Sequence, residues 1–493
     1  MNEKTIDLDI VGSSSFGRDP KIMASRTFNM ILSDGWLVDY VGYVKDISTK
    51  ANGAGRGNYT SVKGSFLICV VYNKVYVITI VNQVSSGLKT YNSRSVGELT
   101  SYFGDVFIEE NNNGQIAICD QINLYIYSYS ENYFTQAVLP DGFTPGYVTY
   151  QNGRFICPDS SSGSFALSDV GNGLNWFWSA SSGPVLGAIQ TKGDFCKAAV
   201  RIAGRGNLLF VMGNTITELW TDVGGAIFPY QRSTSVNIDY GCINAATIAS
   251  LEQIIAWVGI NEKSGPVILY STGSDVKTVS TEGINYRLSQ LNKPESCSAF
   301  FVKLNGHLIY QLTFYDASDN FSILYDFTTQ KFFDVTDENM NFHIARRVAF
   351  FDNDYYFVSF NDNNIYRMSS ELNTYDYGNI IKEIPRTRIC SNIRLPDSSS
   401  FIVNNVSFCL EQGNDTNNTG NDPTYIPRIA MSASKNGGIS FGSYISKDLN
   451  KVGNRINRIQ YWGLGIANDL VVQFRFYGKG PWNASKGIVR IRK

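Results

Sequence analysis

Asn207-Leu208-Leu209-Phe210-Val211-Met212-Gly213-Asn214-Thr215-Ile216-Thr217-Glu218-Leu219-Trp220 decides the fold. Five apolar residues, a polar break and a second strand-like run make a β-hairpin. Gly213-Asn214 suits a tight turn, because both residues tolerate positive φ. Helical periodicity is nearly absent elsewhere, and the same unit recurs. Ser65–Tyr72 returns through Val75–Val81, and Gln115–Cys119 through Asn123–Tyr129. Further units hold Gly153–Cys157, Ile254–Val258 with Val267–Tyr270, His307–Tyr315 with Phe321–Phe327, and Tyr355–Phe360 with Ile365–Met368.

The leading strands are centred near 69, 117, 155, 210, 256, 311 and 357. This spacing is close to the roughly 40–50 residues of a propeller blade. One short antiparallel blade cannot bury both faces, whereas radial stacking can. Ala54-Gly55-Arg56-Gly57-Asn58 echoes Ala203-Gly204-Arg205-Gly206-Asn207, each leading toward a strong hairpin. The reading is all-β: a β-propeller-like body of six or seven blades over 41–380, after an N-terminal arm and first strands at 1–40. A basic, β-sandwich-like domain follows at 381–493. A pair of large β-sandwiches is the alternative.

The 493 residues are 43% apolar and 13% aromatic, enough for a sizeable core. The richest apolar run, Phe66 to Val81, is broken by Asn73-Lys74, so no membrane insertion is expected. Met1-Asn2-Glu3-Lys4 does not open a signal peptide. Eight cysteines lack C-x-x-C spacing and several sit in apolar runs, which reads as free buried thiols in a reducing compartment. His307 and His343 are the only histidines, so His-based metal sites and triads are not expected. No cofactor, metal or catalytic residue is assigned.

Charged residues are only 17%, against about 25% on average. Either the polar surface is Asn, Ser, Thr and Tyr, or much surface is buried in an assembly. The net charge of −1 hides an asymmetry. Residues 382–493 carry 16 Lys and Arg against 7 Asp and Glu, leaving about −10 on the rest. Lys382, Arg386, Arg388 and Arg394 mark the boundary, and Gly413–Pro423 reads as a mobile loop. Lys447, Lys451, Arg455 and Arg458 fall within twelve residues, just before Tyr461-Trp462. They are the candidate subunit- or adaptor-docking cluster. Nothing resembling a nucleic-acid reader accompanies them.

Other motifs read as turns. No helix pattern follows Gly53-Ala54-Gly55-Arg56-Gly57, so it is a turn before the first blade strand and not a phosphate loop. Asp352-Asn353-Asp354 and Asn361-Asp362-Asn363-Asn364 lack the EF-hand pattern and flank a strand. Ser168–Trp176 and Ser434–Phe441 are similar to the hairpin motif of sialidase-type propellers, a structural device.

Four stretches together resemble the tail hub, or packaged-DNA stabilisation, proteins of short-tailed bacteriophages. Ser25-Arg26-Thr27-Phe28-Asn29-Met30 leads to Gly42-Tyr43-Val44-Lys45, with Val41-Gly42 in place of the family's Pro-Gly. Arg56-Gly57 precedes a hairpin that reaches Lys74-Val75-Tyr76. Arg205–Trp220 resembles the central hairpin, followed by Gly265–Tyr270 and Ile284–Arg287. Met431–Ser434, Gly438–Gly442 and Arg455–Arg458 resemble the closing domain. The resemblance implies a non-enzymatic virion tail protein, made in the host cytoplasm. Its partners would be itself in a ring, commonly a hexamer, the portal-adaptor ring, and fibre, spike or plug proteins. The ring would extend the DNA conduit, retain packaged DNA and pass it without sequence preference. The alternative is a sialidase-like or lectin-like propeller binding or cleaving host glycans.

Overall fold

The computed structural model describes residues 3–17, 24–83, 89–177, 184–202, 204–225, 228–273, 275–412, 427–449 and 456–493. The Gly413–Pro423 loop lies outside them. Six four-stranded antiparallel blades follow one another at 55–98, 107–136, 149–188, 198–238, 249–278 and 297–335. A closing sheet completes the ring. It runs through Ala345–Phe351, Asp354–Ser359 and Asn364–Ser369, then takes Gly42–Ser48 from near the start of the chain. Arg346 Nη1 donates to the Gly55 carbonyl at 3.0 Å, joining this sheet to the first blade.

Radial stacking explains why the strands read as unbroken apolar runs. In Phe66–Val71, Leu67, Cys69 and Val71 pack toward the closing sheet. Phe66, Ile68 and Val70 pack toward the second blade. The two faces of a blade strand therefore alternate between two apolar neighbours, where a half-exposed strand would alternate apolar with polar. Seven of the eight cysteines are buried; all eight are free, and Cys409 is exposed.

Two turns differ from expectation. Neither Gly213 nor Asn214 has positive φ. A Cβ on Gly213 would lie 2.5 Å from Asp194 Oδ2, the oxygen that also accepts from the Thr215 N–H at 2.8 Å. Close approach to a carboxylate, not φ, sets that glycine. Gly55–Ser61 is itself the first blade strand, with a bulge at Arg56, not a turn before it. A Cβ on Gly55 would fall 2.3 Å from that of Val358, so the glycine lets two sheets touch. Asp352 and Asn353 form the expected turn, with φ of 48° and 64°.

Beyond the propeller lies a sandwich-like tail whose seven-stranded sheet curls as a half-barrel. Its core includes Met30, Leu37, Val406, Met431, Phe474, Trp482 and Val489. Strands from the first forty residues complete it. Glu3–Leu8 pairs with Gly487–Arg492, and Trp36–Asp39 meets Trp482. Arg26–Phe28 joins the outer strand of the sixth blade to Arg386–Ile389 of the tail, making one ten-stranded sheet.

Candidate functional site

Lys447 and Arg458 are both exposed, but on different sheets. Lys447 lies on Ile445–Asp448, at one end of the ten-stranded sheet. Arg458 lies on Ile456–Ala467, which pairs with Phe401–Gln412 of the seven-stranded sheet. Lys451 and Arg455 lie outside the described residues.

Around Arg458 the strand register assembles a larger surface. Ile402 stands opposite Ile466 on one side and Arg492 on the other. Asn405 stands opposite Trp462 and Arg490. Trp462 is 61% exposed, Ile466 62% and Ile402 42%, while Tyr461, Val406 and Val489 of the same strands are buried. Arg458, Arg490 and Arg492 are exposed too. One face of the sheet thus closes the core, and the other presents an indole and two branched aliphatics among three guanidiniums. Sequence reading marked Arg458 and named Trp462 beside it. It missed Ile402 and Ile466, because their neighbours are set by register between strands about sixty residues apart in sequence. The alternation Arg458-Ile459-Gln460-Tyr461-Trp462, with every second residue outward, was the available signal.

The boundary arginines do something else. Arg386 and Arg388 are almost fully buried. Arg386 holds Asp39 through Nε at 2.7 Å and Nη2 at 3.1 Å. Arg388 Nη1 donates to the Ser13 carbonyl at 2.8 Å and to Thr27 Oγ1 at 2.9 Å. Arg26 grips Asp334 of the sixth blade, its Nε at 2.7 Å from Oδ2. These cations fasten the N-terminal strands to blade and tail.

Charges also meet inside the ring. Glu109, on the innermost strand of the second blade, lies 3.8 Å from Arg201 of the fourth. Burial pushes the Glu109 carboxyl up to about 7; Arg201 opposes that and Glu110 adds to it. An acid raised in the folded state binds its proton more tightly there than when unfolded. Stability is therefore expected to fall as pH rises from about 4.5 to 7, then level off. The loss is on the order of 3 kcal/mol. Urea unfolding across that range checks it: Glu109→Gln should flatten this part of the profile, and an unchanged profile would refute the assignment.

Among the described residues, no group of three His, Cys, Asp or Glu side chains is placed to hold a metal ion. No described helix is long and apolar enough to cross a membrane. The family model described as bacteriophage P22 Gp10, beta-propeller, matches residues 18–370. The chain belongs to this phage stabilisation family. It is accordingly a structural phage protein, and the matched region takes in the six blades, the closing sheet and the N-terminal strands that fasten them.

No curated relative matches the chain. Three solved structures show distant likeness. The N-terminal domain of Nup159 is 9% identical, with 70% of this chain and 99% of that one covered at a TM-score of 0.42. An inactive virginiamycin B lyase from Staphylococcus aureus with quinupristin is 11% identical, covering 67% and 99% at 0.41. The extracellular domain of BT4673 from B. thetaiotaomicron is 8% identical at 0.41; the likeness takes in 66% of this chain but spans only 39% of the length of that one. At such scores these likenesses carry no inference about this family member.

Proposed function

We propose that the protein is a tail hub, or nozzle, subunit that forms a ring below the portal and adaptor, extends the DNA conduit and retains packaged DNA. The observation that carries this reading is the uncovered face of the tail sheet, on a propeller of the phage stabilisation family. Trp462, Ile402 and Ile466 supply apolar area of the kind found in interface cores, and Arg458, Arg490 and Arg492 supply charge. Their cationic tail complements the net negative body, which favours head-to-tail contacts that close into a ring. A hexamer, the portal-adaptor ring, and fibres, spikes or a plug are the partners this reading implies. DNA passes without sequence preference, because a conduit must pass every sequence; dense positive charge on its wall would hold phosphates and slow ejection, so the basic cluster faces subunits or the adaptor. The subunit is made in the host cytoplasm and resides in the virion tail.

Native mass measurement of the full chain, alone and with its adaptor, tests the proposal. A ring is expected, and Arg458→Glu with Trp462→Asp should reduce it to monomers. A wild-type chain that stays monomeric with its tail partners would refute the ring. A variant that still assembles but loses DNA binding would show that the face contacts nucleic acid instead.

A further inference from the structure

The connection between the fifth and sixth blades forms a helix that the proposed role leaves without a task. Helix Glu282–Ser289 packs against the N-terminal segment so closely that a Cβ on Gly283 would lie 1.7 Å from the Phe16 carbonyl oxygen. Between helix, segment and the loop before Phe321 is a cavity of about 560 Å³. That size suits a small ligand. Among the described residues two guanidiniums border it, and they differ. Arg26 is committed to Asp334. Arg287 lies over the Phe321 ring, 3.6 Å from its centroid, and 5.6 Å from that of Phe16. Its Nη1 is buried without a hydrogen-bond partner. Stacking stabilises the face of the cation, but its in-plane N–H donors still require an acceptor.

We propose that this cavity binds one carboxylate on an aromatic or branched aliphatic body, with Arg287 as donor. A monoanion fits better than a phosphate. Among the described residues that line the cavity, Arg287 is the one guanidinium not already held by a carboxylate, the walls are largely apolar, and Asp319 would repel a dianion. Asp319 is itself held by the Asn292 side chain, through Oδ2 at 3.0 Å, and does not neutralise Arg287. The carboxylate comes either from a free small acid or from the terminus of a peptide; both present the same group to Arg287.

Binding measured by calorimetry on the full chain tests this, using benzoate and N-acetylphenylalanine against benzamide and N-acetylphenylalaninamide. At least one carboxylate is expected to bind about tenfold or more tightly than its amide, and Arg287→Gln to remove that preference. Preference confined to benzoate identifies a free acid, and preference confined to N-acetylphenylalanine a peptide terminus. Equal binding of acid and amide, no binding by any probe, or a preference that survives Arg287→Gln would overturn the proposal. If Arg287→Gln does not fold, Ser318→Trp on the exposed rim serves instead. It should block carboxylate binding with Arg287 intact, and undiminished binding would equally overturn the site.

Discussion

Replacing Arg386 by methionine is expected to destabilise the protein by about 3–5 kcal/mol, because it leaves a buried carboxylate without its partner. Asp39 is buried, and both of its oxygens face the Arg386 guanidinium. It also accepts from the Gly480 N–H at 3.1 Å. Arg386 Nη2 reaches the Asn373 carbonyl at 3.2 Å. One ion pair therefore ties together the two tail sheets and the segment leaving the closing sheet. The double variant Arg386→Met with Asp39→Asn should lose less than Arg386→Met alone, since the unpaired charge is gone. Urea denaturation of the three variants measures the coupling. A single-variant loss below about 1 kcal/mol would mean that Asp39 finds water or another donor.

Arg56→Leu is expected to cost on the order of 4 kcal/mol, since it strips the donors from four buried or partly buried carbonyls at once. The side chain is 1% exposed. Nε donates to the Gly104 carbonyl at 2.9 Å; Nη1 donates to the carbonyls of Tyr72 at 2.9 Å and Ser101 at 2.8 Å. Nη2 donates to Ser101 Oγ at 2.8 Å and to the Phe103 carbonyl. Burial pulls this guanidinium down to about 10, opposed by Asp120, so it remains charged at neutral pH. Arg56→Lys should recover only part of the loss, because an ammonium cannot reproduce the planar fork. Arg205, its counterpart in the echoing segment, is exposed, and Arg205→Leu should shift stability by no more than about 0.5 kcal/mol. Thermal unfolding of the three variants compares the sites. Equal effects at 56 and 205 would refute the distinction.

That pair shows how far local sequence reaches. Arg56 and Arg205 share the same flanking glycines, yet one sits inside a loop of backbone carbonyls and the other in solvent. The surroundings of Arg56 come from residues 72 and 101–104, which no reading of residues 53–57 could supply. The same holds for Arg386 and Arg388. They looked like surface charge at a boundary, but Asp39, Ser13 and Thr27 meet them from the opposite end of the chain. At the candidate site, Arg458 and Trp462 were visible in one strand, whereas Ile402, Arg490 and Arg492 became its neighbours only through register.

The hairpins and the all-β propeller-like body were legible because they depend on short-range patterns: apolar runs of four to eight residues, broken by Asn, Asp and Gly at blade-like intervals. Family-like stretches in a conserved order added the phage assignment. Tertiary structure alone decided how the ring closes, through Gly42–Ser48 pairing with Asn364–Ser369, and how Glu3–Leu8 completes a sheet with the last strand. Strand pairing satisfies backbone donors and acceptors without regard to side-chain identity. A strand's own sequence therefore announces that it needs a partner, but not which distant segment provides one.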